Sequence, residues 1–402
     1  MSAFAVASSD ERAFSGLRVV DLSQGVAGPH CGMLFAQHGA DVIKVEPTGG
    51  DWGRAIGLRH GDFCAYNIAF NLGKRSLAID LKSPDGHAAV RQLMTEADVV
   101  IENYRPGVLA RFELDYAHLK EVNPDVVFVS VTGYGQTGPR SGLPATDSIL
   151  QSFSGLMTAN KDARGMPQRV GVLVIDVVTG LYGFQGAATA LYKRAMRGGG
   201  RHVQVSLMES IGAVQAAKMI EFHLEGPEGQ KPGVPVGTFQ TADGFITVNA
   251  RRDNHFLSLC KILELDGLEQ DERYQDMAMR ADHEESLMAV LSERIAKLQT
   301  APFAAALQEH DILHATVNDY QGYFDDPHVA DSGVVQWARH ADVGDVPLHE
   351  IPGMPLTRDG HLLCSPGLGQ HSADVLREVG WTDAAIDAAV AAGQVVVGPP
   401  AA

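Results

Sequence analysis

Short apolar strands alternating with helices, a change of texture after about Gly226, and a return to strand and turn beyond about Ala330 predict an α/β protein. The expected large domain is a doubly wound, Rossmann-like parallel sheet with helices on both faces, accompanied by a smaller α+β domain. Leu17–Ser23 reads as a strand, the stretch after Pro29 as a helix reaching about His38, and Asp41–Glu46 as the next strand, which makes a βαβ unit. The pattern repeats with a strand at Leu77–Leu81, a helix opened by Ser83 with Pro84 at its first position, and a strand within Asp98–Tyr104. A helix near Tyr116–Val122 leads to a strand within Asp125–Gly135. The helix after Asp176 is expected to close at Gly198–Gly200, before an alternating strand over His202–Leu207 and a further helix from about Met208.

Beyond this, Gly226–Gly237 is a Gly/Pro-rich connector, Gly237–Ala250 reads as a hairpin, and an acidic, largely helical segment runs to about His310. The expected organisation is a large domain over residues 1–225, a linker and small domain over 226–330, and residues 331–402 returning to the large domain through a helical Gly367–Gly380. The tail from Val395 reads as loose.

With 402 residues, 45% of them hydrophobic and 20% charged, the chain has ample length for two globular domains. A formal charge of −17 argues against nucleic acid or an anionic membrane as partner, because both demand a cationic footprint. Residues 1–120 carry 12 Lys and Arg against 14 Asp and Glu, so the first third is the least hostile surface for a phosphorylated ligand. Cys31, Cys64, Cys260 and Cys364 form no CxxC pair and have no zinc-ligand spacing, which implies reduced thiols and no metal site. The N-terminus has no basic region followed by an apolar core, and no segment offers about 18 uninterrupted apolar residues, so the expected location is cytoplasmic.

An acid interrupts the apolar run Gly171–Leu207 at Asp176, where burying a charge is costly without partners. Its place between a strand-like stretch and a helix puts the carboxylate at a helix N-terminus, where free N–H groups and the dipole favour an anion and keep it ionised and nucleophilic. A plain N-cap satisfies the same pattern.

Gly133–Gly138 (GYGQTG) has the spacing of a dinucleotide fingerprint, yet Pro139, Gly142 and Pro144 break the helix that must follow one, so it reads as a ligand-approaching loop at a strand's carboxyl end. Gly73–Ser76 lacks the upstream glycine of a phosphate-binding P-loop, and GxSxG and HExxH are absent. Lys74, Arg75, Lys82, Arg105 and Arg111 fall near strand ends, where together they offer phosphate contacts, and Tyr104 and Phe112 beside them offer faces for a base. His30 and Cys31 sit in a helical apolar pattern that core packing explains.

Taken in order, LRVVDLSQGVAGPHCGMLFAQHGADVIKVE, NLGKRSLAIDLKSPDG, ADVVIENYRPGVLARF, NPDVVFVSVTGYGQTGPRSGLP, SFSGLM, the segment around Asp176 and GLGQHSADVLREVG resemble the class III CoA-transferase family over nearly the whole chain. That family includes the formyl-CoA and carnitine CoA-transferases and the related 2-methylacyl-CoA racemases. The resemblance implies Asp176 as a catalytic nucleophile that passes through an aspartyl anhydride and an aspartyl-CoA thioester. It implies CoA contacts at Val26, Ala27, Ile79, Asp80, Leu81, Lys82, Asn103, Tyr104, Arg105, Arg111, Thr132, Gly133, Tyr134 and Gly135. It further implies an interlocked homodimer, with acyl-CoA and a small carboxylic acid as substrates and no tightly bound cofactor.

Three departures from the family pattern matter. Gln24, Val26 and Thr132 differ from the formyl-CoA transferases, so oxalate or formate specificity does not carry over. The linker Lys231–Gly237 lacks the long glycine run that some transferases use as a lid. Ala145-Thr146-Asp147 stands where the racemases carry Gly-His-Asp, and threonine does not shuttle a proton at neutral pH. The expected activity is therefore CoA transfer from an acyl-CoA to a free carboxylate, with an acyl-CoA racemase and a non-catalytic acyl-CoA-binding protein as the alternatives.

Overall fold

The computed structural model describes residues 12–162, 164–226, 233–340, 342–349, 351–353, 357–358 and 361–399; the N-terminal eleven residues and half of the Gly226–Gly237 connector lie outside the described residues. The chain divides into two compact units, Met1–Ala216 with Val334–Ala402, and Ala217–Gly333.

The first unit opens with β1 (Arg18–Asp21), α1 (Ala27–Gln37), β2 (Asp41–Glu46), β3 (Arg75–Ile79), α2 (Pro84–Thr95), β4 (Val99–Glu102), α3 (Tyr116–Val122) and β5 (Val127–Thr132). It continues with α4 (Asp147–Phe153), α5 (Val174–Arg197), β6 (Arg201–Ser206) and α6 (Leu207–Val214). Local chemistry sets the ends. The Ser83 hydroxyl accepts the Gly86 N–H at 3.1 Å with Pro84 in the first turn, and the Ser206 hydroxyl caps α6, accepting the Glu209 N–H at 3.1 Å and donating to the Glu209 carboxylate at 2.7 Å. Gly198, at φ +69°, takes the left-handed step that stops α5.

The second unit holds α7 (Ala216–Glu225), β7 (Val236–Gln240), β8 (Phe245–Asn249), α8 (Asp253–Ile262), α9 (Glu284–Ile295), α10 (Thr300–Glu309) and β9 (Leu313–Thr316). Its three strands form an antiparallel sheet in the order β7-β8-β9, over which Phe239, Ile246, Val248, Leu259, Leu291 and Leu307 make the core. The fully buried Arg280 guanidinium donates to the Val234, Tyr274 and Arg251 carbonyls and to Asp253, so its charge is enclosed with its donors satisfied.

The chain then returns to the first unit through a hairpin, β10 (Val335–His340) and β11 (Gly344–His349), followed by α11 (Ser372–Glu378), α12 (Asp383–Ala391) and β12 (Val395–Val396). The expected loose tail is corrected at its start. Val395 and Val396 pair antiparallel with Ile79 and Ala78, because the open edge of β3 offers an apolar strand partner.

The complete sheet has the order β12-β3-β2-β1-β4-β5-β6, with β1 to β6 all parallel. Period-two alternation sends Val20, Ile43, Val45 and Leu77 to the face covered by α2, α3, α11 and α12. Val19, Val42, Ile101 and Val129 go to the face covered by α1, α5 and α6. By length and composition α5 is apolar enough to cross a membrane, but Ile175, Thr179, Gly183, Ala187 and Leu191 are buried within the fold.

Helices α1 and α5 cross almost backbone to backbone. A Cβ on Gly180 would lie 2.7 Å from the Ala27 carbonyl oxygen, and one on Gly183 would lie 3.3 Å from Cys31 Sγ. His30 Nδ1 meets the Val177 carbonyl at 3.0 Å across the same crossing, and burial holds its imidazole down at about 4. This contact sets the first turn of α1 beside the first turn of α5. Gly180→Ala is accordingly expected to destabilise the protein by about 1–3 kcal/mol through overpacking, read as a lower urea midpoint at unchanged slope. An unshifted midpoint would show that the crossing tolerates a methyl group.

Candidate active site

In a sheet of this order the connections diverge between β1 and β4, leaving a crevice at the carboxyl ends of those strands. A cavity of about 360 Å³ opens there. From the β1–α1 turn come Gln24, Val26 and Ala27, from the end of β4 Asn103, Tyr104 and Arg105, from the end of β5 Thr132 and Gly133, and from the first turn of α5 Asp176. The two turns are clasped together across the crevice. Asn103 Oδ1 accepts the Gln24 N–H at 2.8 Å while its Nδ2 donates to the Gln24 carbonyl at 2.7 Å, and the Gln24 amide reaches Tyr104 Oη at 3.4 Å.

Asp176 is the third residue of α5 and does not cap it. The cap is Asp147, buried on α4, whose Oδ2 accepts the N–H groups of Ile175 at 2.7 Å and Asp176 at 3.2 Å and whose Oδ1 accepts from Gln151 at 2.6 Å. Among the described residues no donor reaches the Asp176 carboxylate. Burial, and secondarily the Asp147 charge, push its carboxyl up to about 7. The expectation of a fully ionised group is corrected accordingly, since the helix N–H groups that would have stabilised the anion are spent on Asp147.

Beneath the cavity lies a buried network of three cations and three carboxylates. Lys74 Nζ donates to Asp21 at 2.7 Å, to the Pro29 carbonyl at 2.7 Å and to Asn71 at 2.9 Å. Lys44 meets Asp51 at 2.8 Å and the Ser23 carbonyl at 2.8 Å, and Arg54 grips Glu46 through two bonds of 2.7 Å. Asp51 Oδ1 takes the Gly25 N–H at 2.8 Å, which ties the β1–α1 turn to the network. Lys74 is therefore a scaffold group rather than a phosphate contact, with burial pushing its ammonium down to about 8 against the pull of Asp21. Arg75 is likewise engaged, by Asp41 and Glu378.

Not all the expected residues meet at the cavity. Ile79 is buried in the core, and Asp80, Leu81 and Lys82 stand at the end of β3, where Asp80 Oδ1 accepts the Lys82 N–H at 2.9 Å. Arg111 is exposed on the turn after β4. Tyr134 is buried edge-on against Phe153 at 5.4 Å, and the Gly135 N–H is held by Thr132 Oγ1 at 3.1 Å, so both shape the loop without lining the cavity. No helix begins after Gly133–Gly138 until Asp147, and a Cβ on Gly133 would lie 2.2 Å from that of Ala145. Cys31 is fully buried, and burial pushes its thiol well above its ordinary value.

Sequence reasoning missed Trp52, Leu143 and Leu207, which also line the cavity. Trp52 carried no signal, since only the tertiary packing of its ring against Gly25 brings it there. Asp147 had one, a Thr-Asp-Ser start before an apolar helix, but nothing local shows that its carboxylate serves another helix.

The chain matches the description "CoA-transferase family III" over residues 14–372. It is 35% identical to a succinate–glutarate CoA-transferase of Agrobacterium fabrum, over 91% of this chain and 95% of that protein. Identity to the human succinyl-CoA:glutarate CoA-transferase is 32%, over 94% and 89%. Among solved structures, a CAIB/BAIF family protein from Brucella suis superposes with a TM-score of 0.81 at 31% identity, over 91% of this chain and 98% of that one. The switch-point cavity, the parallel sheet around it and this agreement along the chain lead to one conclusion: the protein belongs to CoA-transferase family III and is a CoA-transferase.

Proposed function

We propose that the enzyme moves CoA between two short dicarboxylates, succinate and glutarate being the pair suggested by its relatives, with Asp176 as the nucleophile. The observation that carries this reading is that Asp176 is the single carboxylate among the residues lining the cavity, at a place where the N-termini of α1 and α5 converge. Its oxygen attacks the thioester carbonyl, the C–S bond breaks, and CoA leaves as thiolate while an aspartyl anhydride forms. The thiolate then attacks the aspartyl carbonyl, expelling the donor acid and leaving an aspartyl-CoA thioester. The acceptor carboxylate displaces the thiolate in turn, and the thiolate takes the acceptor's acyl group from the new anhydride, which restores Asp176.

The first N–H groups of α1 lack intrahelical acceptors and suit the oxyanions of these steps. Val26, Ala27, Asn103, Tyr104, Arg105, Thr132 and Gly133 hold the pantetheine end of CoA. Lys82 and Arg111, both exposed, serve its phosphates, and Ile79 to Leu81 serve through backbone, with Tyr134 and Gly135 keeping the loop in shape. Racemisation is disfavoured, because Thr146 faces the cavity without a base and Asp147 is committed to capping α5. Cys31, Cys64 and Cys260 are buried free thiols, which fits a cytoplasmic enzyme. An interlocked homodimer accounts for α7, which buries none of its residues here and exposes Met219, Ile220, Phe222 and Leu224. Such a dimer survives dilution, and a freely exchanging monomer in sedimentation would remove this part of the proposal.

Asp176→Ala is expected to fold and bind CoA yet retain less than about a hundredth of the transfer rate. With succinyl-CoA, the wild-type enzyme leaves a hydroxylamine-sensitive adduct on Asp176 in peptide mass spectrometry; turnover with Asp176 unmodified would refute the covalent route.

Because attack requires the ionised carboxylate, kcat/KM for the donor should rise with pH through an apparent pKa near 7. Stability runs the other way. Between its unfolded pKa and about 7 the native Asp176 binds more protons than the unfolded one, so its contribution weakens as pH rises. Asp176→Asn should therefore melt above wild type at about pH 8, with an advantage that shrinks as pH falls and is lost by about pH 4; an advantage independent of pH would contradict the raised pKa.

A further inference from the structure

A second cavity, of about 230 Å³, lies on the other side of β4 and shares Tyr104, Arg105 and Pro106 with the first. These three residues are thus a thin partition with space on both sides, and their position cannot come from packing alone. What holds them is a line of polar side chains crossing three neighbouring strands. Glu102, the last residue of β4, is paired in register with Ser130 of β5, and Ser130 with Gln204 of β6. Glu102 Oε2 accepts the Tyr104 N–H at 2.9 Å, and the Ser130 hydroxyl, on the neighbouring strand in register with it, acts on the same carboxylate. Ser130 Oγ meets His202 Nε2 at 2.9 Å, and His202 Nδ1 meets the Gln204 amide nitrogen at 3.2 Å.

The direction of this chain follows from its far end. An amide nitrogen only donates, so His202 Nδ1 accepts and the ring proton sits on Nε2, which donates to Ser130 Oγ. The Ser130 hydroxyl hydrogen is then left to turn towards Glu102, whose carboxylate accepts the Tyr104 N–H. The imidazole is fixed in this role by Tyr116, stacked on it at 4.7 Å, and by Phe128, edge-on at 5.5 Å. Burial lowers the His202 pKa, in keeping with a neutral ring, and pushes the Glu102 carboxyl up to about 7 against its bonds to Ser130 and Tyr104.

We infer that Glu102 is a positioning residue for CoA binding, held by the Gln204–His202–Ser130 chain and acting through the Tyr104 backbone to set the Tyr104–Pro106 partition. Tyr104 carries the effect onward, because its hydroxyl meets the Gln24 side chain and its neighbour Asn103 clasps the Gln24 backbone. The inference rests on the reading that this wall contacts CoA.

The test is calorimetric titration with CoA itself, at about pH 8 where a carboxyl near 7 is mostly ionised, so that neither acyl donor nor acceptor need be known. Glu102→Ala leaves the Tyr104 N–H without its acceptor and is expected to weaken CoA about tenfold. Glu102→Gln, which retains an acceptor for that N–H, should recover most of the loss. Ser130→Ala, a small truncation that opens no large cavity, should give an intermediate loss and stands in if Glu102→Ala does not fold. CoA binding equal to wild type in folded Glu102→Ala, or in Ser130→Ala should the former not fold, overturns the inference. So does a Gln variant no better than Ala, which would mark Glu102 as a charge and not a holder of backbone. Arg105→Ala keeps the two readings apart: normal CoA binding in that variant counts against the CoA assignment of the wall, whatever Glu102 does.

Discussion

The site depends on how two carboxylates divide one helix N-terminus. Asp147 occupies the amides at the start of α5, and Asp176, in the first turn, receives none of them. An acid that collected those bonds would sit low on the pH scale and make a poor nucleophile, because its charge would already be well solvated by the protein. Deprived of donors and half-buried beside a second negative charge, Asp176 is held near 7, where it ionises at physiological pH without being stabilised into inertness. The cap and the proposed nucleophile are therefore one device. α4 must lie against α5 for this carboxylate to have its basicity, and the crossing of α1 with α5 sets the first turns of the two helices side by side.

The buried ionic network fixes the other half of the geometry. Buried salt bridges add little net stability, since desolvation offsets most of their attraction. What this one supplies is position: charges that balance, three against three, and bonds that end on backbone atoms of the β1–α1 turn, at the Ser23 carbonyl and the Gly25 N–H, and of the first turn of α1, at the Pro29 carbonyl. A turn held by its backbone from below is free to present its side chains and amides above. Removing one partner would strand a buried charge, so the network either stays whole or takes the turn with it.

Much of this was legible along the chain. The parallel strands, the long helix closed at Gly198 and the loop character of Gly133–Gly138 follow from local patterns, because period-two runs, caps and glycine breaks act over a few residues. The placement of Asp176 at the start of α5 was equally readable. Its ionisation was not, since that depends on which helix Asp147 serves, 29 residues away in sequence. The same limit explains Lys74 and Arg75: a basic residue near a strand end looks the same on paper whether it awaits a phosphate or neutralises a buried Asp21. It also explains β12, two valines whose strand character exists only because β3 has an open edge.

The strand order of this sheet is the one that elsewhere cradles a dinucleotide pyrophosphate over the first βα turn, and here that turn is closed to such a ligand. Gly25, at φ +82°, lies directly under Trp52, so closely that a Cβ would fall 2.2 Å from the indole ring. Asn103 bridges the remaining gap from β4. A phosphate therefore has no approach to the Gly25 backbone, and Ala27 at the start of α1 instead lines the same cavity as Asp176 in the first turn of α5. The shared topology still places a ligand at the switch point, because that is where the connections part. What differs is what stands beside the helix N-terminus, and in this protein it is a carboxylate that no donor among the described residues reaches.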